Sequence, residues 1–202
     1  MIIVQNKWVI IGCGGHARSI ADVILDNDQY ADIVFLDKNA KNNEKLFGFP
    51  IIAHYNIKNE KVIVGIGDNL KRKELSIKYY ENLSNVISKR AYIAKSAKMG
   101  KGIFVAHNAH IGALSQINDF VVVNTSASVD HECILGTASF IAPNSTLCGK
   151  VKLGENVLLG AGATVIPQIE ICANSKIGAG TTIIKSIYVE GTYVGNSTRR
   201  IK

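Results

Sequence analysis

The segment Asn124-Thr-Ser-Ala-Ser-Val-Asp-His131-Glu132-Cys133 puts an imidazole and a carboxylate side by side. A histidine titrates in the range needed to take a proton from an attacking amine or hydroxyl. A carboxylate beside it orients the ring and supports the charge it acquires. Acyl transfer from a thioester needs such a base, and His131 with Glu132 is the candidate pair. A second chemical feature lies at the other end of the chain. Gly12-Cys13-Gly14-Gly15-His16 follows the apolar run Lys7 to Gly12 and opens a helix-like stretch. Backbone N–H groups at Gly14 and Gly15, with the helix N-terminus behind them, can hold phosphate or sugar oxygens. The bland alternatives are a solvated surface histidine and a turn kept tight only for packing.

These groups need a frame, and the sequence supplies it as a repeat. Every sixth residue from Ile93 to Ile183 is aliphatic or Met, without an insertion. The residue two before each is mostly small or β-branched, as Ala91, Ala109, Ala127 and Ala163 are. The residue after is often Gly, Asn or Asp, as at Gly100, Gly112, Asn118, Asp130 and Gly154. Each hexapeptide reads as a short strand and a corner, and three make one triangular coil. The aliphatic residue is expected inside, with the glycine position at the corner, where unusual backbone angles are needed. Residues one coil apart stand in columns. His131 then shares a column with Lys95, Ala113, Gly149 and Pro167, whose small members leave room for the ring. Glu132 stands under Lys150. The corners Gly160-Ala161-Gly162 and Gly178-Ala179-Gly180 stack, exposing backbone to an extended donor such as a pantetheine arm.

The first part of the chain reads differently. Strands are expected over 7–12, 33–36 and 61–66, with helices over 16–25 and 70–80, forming a small parallel sheet. This is half of a dinucleotide fold, room for one nucleotide rather than a nicotinamide dinucleotide. The expected domains are 1–88, Rossmann-like and sized for one nucleotide, and 89–202, a β-helix with a C-terminal tail.

Composition narrows the classes. The 202 residues carry a net charge of +7, with 47% apolar and 19% charged residues. The basic residues are scattered, with no stripe and no interleaved aromatics, so nucleic acid is not the expected partner. They suit a phosphate-rich small ligand instead. Arg199, Arg200 and Lys202 are candidates for the phosphates of a coenzyme. No apolar stretch is long enough for a membrane span, and the N-terminus reads as a strand, not a signal peptide. The four cysteines show no paired or metal-type spacing, which suits a reducing cytoplasm. His107 and His110 fall in neighbouring hexapeptides and not in the His131 column, so no metal site is expected.

Three motifs, Gly-x-Gly-Gly-His at the start, Asn-Thr-Ser-Ala-x-Val-Asp-His-Glu in the middle and Tyr193-Val-Gly195-Asn-Ser at the end, together resemble the bacterial sugar O-/N-acyltransferase family. That family includes bacillosamine-pathway N-acetyltransferases and sialic acid O-acetyltransferases. The resemblance implies a left-handed parallel β-helix, a homotrimer with the site between subunits, and acetyl-CoA as co-substrate without a metal. It implies His131 as general base and Glu132 as its support. It places the sugar nucleotide at Gly14, Gly15, His16, Asp37, Lys38, Gly67 and Asn124, and coenzyme at Gly149, Ala161 and Ala179. The pattern departs at Lys38, where the motif carries a second acid, and at Phe140, where it carries a second histidine touching the coenzyme. The implied activity is N-acetylation of a UDP-linked 4-amino-4,6-dideoxy sugar in bacterial surface glycan biosynthesis. O-acetylation of sialic acid or a related sugar is the alternative within enzymes, and a non-catalytic β-helix scaffold is the alternative outside them.

Overall fold

The computed structural model describes residues 6–195. The first part is a five-stranded sheet. Strand β1 (Lys7–Ile11) lies between β2 (Asp32–Leu36) and β5 (Lys61–Val64), all parallel. Helix α1 (Gly15–Asn27) follows β1 and buries Ala17, Ile20, Ala21, Val23 and Ile24. Helix α2 (Asn69–Lys78) follows β5, and Asp68 caps it by accepting from the Lys71 N–H. Two further strands extend the sheet beyond β2: β4 (Phe49–Ile52) runs parallel to β2, and β3 (Lys45–Leu46) pairs antiparallel to β4. Periodicity misses this hairpin. Its runs are short, Pro50 argues against a strand, and its turn is Phe47-Gly48, with φ of +53° and +82°. Two residues in the left-handed region match the twist of a hairpin, but Phe is not the residue a turn search looks for.

The rest of the described chain is a parallel β-helix. Two-residue strands stack on three faces: seven on the first (86–87 to 192–193), six on the second (92–93 to 182–183) and five on the third (98–99 to 170–171). Pairing is in 18-residue register, as with Ser128 on Thr146 and Val129 on Leu147, up to the last coil, where Lys176 pairs with Thr192 at an offset of 16. The aliphatic column is buried inside. The small residue two before it is also inside, so Ala109, Ala127, Cys133 and Ala163 share one continuous core with Ile111, Val129, Leu135 and Val165. Interior serines close their hydroxyls onto local carbonyls, as Ser139 does on Gly136 and Ser145 on Ala142, which removes the cost of a buried unpaired polar group.

The corner chemistry differs from the sequence expectation. The left-handed residue is the third after the aliphatic one, not the first: Asn108, Leu114, Phe120, Ser126, Glu132, Ala138 and Lys150 all have φ near +60°. The glycine position directly after the aliphatic residue is needed for another reason. A Cβ at Gly136 would lie 2.3 Å from the carbonyl carbon of Gly154, and one at Gly112 would lie 2.7 Å from that of Asp130. The glycines let successive coils approach; they do not serve the turn angle.

The N-terminal domain sits on the seven-stranded face. Phe104, Val122 and Phe140 of that face join the cluster formed by Ile10, Ala17, Ile20 and Phe35. Polar ties grip both vertices that bound the face. On one side, Asp22 of α1 meets His107 at 3.2 Å and the Asn27 amide donates to Ile87 O. On the other, α2 meets the corners at Phe120, Ala138 and Asn156.

Candidate active site

His131 and Glu132 occupy the vertex between the six- and five-stranded faces, opposite the face that carries the N-terminal domain. Val129 points inward and ends its strand, so the chain turns at Asp130-His131 and leaves the imidazole about half exposed. Its Nδ1–H donates to Glu132 Oε2 at 2.9 Å. That bond fixes the tautomer, leaving the Nε2 lone pair free to accept a proton. Glu132 has φ +58° and its own N–H donates to Ala113 O at 2.8 Å, so the left-handed corner aims its side chain. The other carboxylate oxygen faces Lys150 Nζ at 3.7 Å, the column neighbour expected from the repeat. Asp130 lies 4.0 Å from Nε2. Two carboxylates therefore stand where positive charge develops when the ring takes a proton, opposed by one lysine.

Gly149 completes this vertex. A Cβ there would lie 2.5 Å from Nε2 and 2.6 Å from Cε1 of His131. The glycine is the space the ring occupies. Ala161 and Ala179 do not join it. They lie with Asn124 on the vertex between the seven- and six-stranded faces, one hexapeptide away from the His131 vertex. The fold thus divides the expected coenzyme residues between two vertices. Arg199, Arg200 and Lys202 lie outside the described residues.

The N-terminal domain holds the second half of the candidate site. A cavity of about 1020 Å³ opens at the carboxyl ends of β1, β2 and β5, where open α/β sheets bind ligands. It is lined by Gly12, Asp37, Lys38 and Ile66, by His54, Tyr55 and Asn56 beyond β4, and by Lys71, Glu74 and Lys78 of α2. Asp37 is held from both sides: Asn39 N–H donates to Oδ1 at 3.0 Å and the Cys13 thiol to Oδ2 at 3.3 Å. Burial, and then that carboxylate, raise the Cys13 thiol above its ordinary range.

The glycines of the two turns beside this cavity fall into two kinds. Gly12 has φ +100° and a Cβ there would meet Ile66 Cδ1 at 2.6 Å; a Cβ at Gly65 would meet Ala17 at 2.7 Å. Those two serve packing. Gly14, Gly15 and Gly67 would meet nothing within 4 Å and have no left-handed backbone. Neither the fold nor the turn needs glycine there. His16 is turned away, into the domain interface. Its ring lies edge-on to Phe104 at 5.3 Å and beside Phe140 at 5.6 Å, and its buried Nε2 has no partner. Burial, with Arg72 nearby, lowers its pKa to about 4. Phe140 therefore lies beneath the N-terminal domain, on the other side of the coil from His131.

His107 and His110 have structural partners. His107 joins Ser88 Oγ at 2.7 Å and Asp22, and His110 stacks on Tyr92 at 5.0 Å. No metal-type cluster of His, Cys, Asp and Glu occurs among the described residues, and no helix among them is long and apolar enough to cross a membrane.

Residues 7–79 match the model of the PglD N-terminal domain, and residues 150–185 that of the bacterial transferase hexapeptide, six repeats. The acetyltransferase domain of PglB from Neisseria gonorrhoeae is similar over 93% of this chain and 96% of that one, at 30% identity and a TM-score of 0.87. It has also been solved in complex with acetyl coenzyme A. A variant of perosamine N-acetyltransferase from Caulobacter crescentus, in complex with CoA and GDP-perosamine, is similar over 90% of each chain, at 32% identity and a TM-score of 0.79. An uncharacterized protein of Acanthamoeba polyphaga mimivirus is 36% identical over 123 residues, and the chain spans about a quarter of its length. Sequence motifs, coil, N-terminal domain and full-length structural likeness agree: the chain belongs to the hexapeptide-repeat acyltransferases that carry a PglD-type N-terminal domain.

Proposed function

We propose that this protein transfers the acetyl group of acetyl-CoA to the amino group of a nucleotide-linked 4-amino-4,6-dideoxy sugar, for a bacterial surface glycan. The observation that carries the reading is the His131 vertex: Nδ1–H given to Glu132, Nε2 open, and a glycine where the ring needs space. Nε2 takes a proton from the amine as its nitrogen bonds to the thioester carbonyl carbon. Collapse of the tetrahedral adduct breaks the C–S bond, and the imidazolium returns the proton to the departing thiolate. Glu132 and Asp130 favour the transient cation.

The sugar nucleotide is assigned to the N-terminal domain. Support comes from the cavity beside Asp37 and Lys38, and from Gly14, Gly15 and Gly67, where neither packing nor backbone angle requires a glycine. An acid at the end of the second strand suits a ribose hydroxyl, and lysines at 38, 71 and 78 suit a diphosphate. Gly149, Ala161 and Ala179 are assigned to the coenzyme and Asn124 to the sugar. The cavity lies on the domain that covers one face, and His131 stands at the opposite vertex. A neighbouring copy must therefore bring one half of the site to the other, which supports a homotrimer. UDP is the nucleotide in this reading. GDP is the second reading, favoured by the GDP-perosamine complex of the Caulobacter relative.

The test is CoA release from acetyl-CoA, followed with a thiol reagent, against UDP- and GDP-linked 4-amino sugars and free sialic acid. Turnover with one nucleotide amino sugar supports the proposal and names the base. Turnover with sialic acid alone would replace it by O-acetylation. No CoA release with any acceptor would favour the scaffold.

A further inference from the structure

The most deeply buried ionic group described in the chain belongs to neither half of the site. Arg72, on α2, is 1% exposed. Burial lowers its pKa to about 10, so it remains charged at neutral pH. Among the described residues no carboxylate lies within ion-pair distance of its guanidinium, although the charge of Asp68 is near enough to favour it. Five bonds to oxygens surround it instead. Nε donates to Phe120 O at 3.0 Å. Nη1 donates to Ile66 O at 3.3 Å and Gly67 O at 3.1 Å. Nη2 donates to Ala138 O at 2.6 Å and Asn69 Oδ1 at 2.9 Å. A guanidinium has five N–H donors, and all five are used. Its plane also lies over Phe140, 5.5 Å from the ring centre.

The acceptors explain why a cation is buried here. Each coil corner sends the carbonyl before its left-handed residue into the ladder, as Lys101 O receives Phe120 N–H and Asp119 O receives Ala138 N–H. The carbonyls of the left-handed residues Phe120, Ala138 and Asn156 take side-chain donors instead. Under the N-terminal domain they are shut off from water and need donors. Arg72 serves Phe120 and Ala138, and Asn69 Nδ2 serves the next corner in the column, Asn156 O, at 3.1 Å. Two side chains of α2 thus bond to three successive coils. The same guanidinium holds the carbonyls of Ile66 and Gly67, the turn at the edge of the cavity. That turn is interlocked with the other one, since Ile66 packs where Gly12 has no side chain.

We propose that Arg72, with Asn69, is a positioning device for sugar-nucleotide binding: it fixes the Ile66–Gly67 turn, and through it the Gly12 turn, in register with the coils. The inference rests on the assignment of the cavity to a nucleotide. Lysine at 72 keeps the charge but has one nitrogen in place of a planar fork, so it leaves the turn carbonyls or the corner carbonyls unpaired. Asn69→Ala removes the tie to the Asn156 corner and one acceptor of Arg72, and leaves the guanidinium on its four carbonyls.

The experiment is calorimetric titration of the whole protein with UDP, GDP and acetyl-CoA, each alone. Arg72→Lys is expected to weaken the nucleoside diphosphate that the wild type binds by about tenfold or more, the scale for lost support around a binding group, with acetyl-CoA affinity unchanged. Asn69→Ala is expected to weaken the same nucleotide by a smaller factor, and it decides the matter if Arg72→Lys does not fold. Equal loss of both ligands, or unchanged nucleotide affinity in a folded variant, would overturn the proposal. If the wild type binds neither nucleotide, the reading of the cavity falls first and this inference falls with it.

Discussion

Replacing Gly149 by alanine tests the candidate base without touching it. Gly149 has no left-handed φ, so alanine fits the backbone, and the nearest atoms to its methyl group would be those of the His131 ring, at 2.5 Å from Nε2 and 2.6 Å from Cε1. Ordinary contact is about 3.5 Å, so the ring edge must retreat by about 1 Å. The ring is half exposed and free to yield. Stability should therefore change by about 1 kcal/mol or less, roughly 2–4 °C in Tm for a chain of this size. Chemistry is less forgiving. A retreat of about 1 Å from a near-attack geometry costs about 10²-fold, and it also pulls Nδ1 from Glu132. The assay is steady-state acetyl transfer, with kcat and the KM for acetyl-CoA determined separately, beside a thermal melt. The expected result is kcat down about 10²-fold with an intact fold. A kcat within about threefold of wild type would refute the reasoning, because a base at Nε2 cannot ignore that displacement. A rise in acetyl-CoA KM alone would support the assignment of Gly149 to the coenzyme and leave His131 without a demonstrated part.

His131→Ala should lower kcat by about 10²–10⁴-fold with the melting curve unchanged, and undiminished turnover would move the base elsewhere. Mixing His131→Ala with Asp37→Ala protein under conditions of subunit exchange should recover about a quarter of wild-type activity if each site joins two copies; no recovery would place both halves in one chain. Stability should fall in acid through His16. Its folded pKa of about 4 lies below the unfolded value near 6.5, so the unfolded chain binds a proton that the fold refuses. Above about pH 6.5 the residue contributes no pH dependence. Between there and about pH 4 stability is lost as pH falls, by up to about 1.4 kcal/mol per pH unit. Urea midpoints at pH 7 and pH 5 should therefore differ more for wild type than for His16→Phe, and equal differences would mean that the ring is not held neutral.

The six-residue period fixed the coil, its core column and the pairing of Glu132 with Lys150, because a stacked repeat turns sequence separation into spatial register. The same arithmetic placed Gly149 against His131. It did not reveal which corner position carries the left-handed angle. Glycine is chosen there by two pressures, backbone angle and coil-to-coil contact, and composition alone does not separate them. The hairpin β3–β4, too short for a periodic signal, was hidden for a related reason: its turn angle is imposed on Phe47 by the sheet.

The parts that depend on how two domains meet were not legible. Arg72 stands between Lys71 and Lys73 and reads as one of three solvated cations. Only docking buries it, against the corner carbonyls of Phe120 and Ala138. His16 reads as part of a ligand loop, yet the turn at Gly15 sends its ring to Phe104 and Phe140. The cavity wall from His54 to Asn56 and along α2 has no motif, since its members come from separate loops that the sheet brings together. Sequence by itself determined the repeat, the residues of each column and the meeting of His131, Glu132 and Lys150 at one corner, all consequences of local spacing. Tertiary structure decided which face the N-terminal domain covers, and so that the cavity and the His131 vertex lie on opposite sides of one coil, because that choice follows from surface complementarity between segments far apart in the chain.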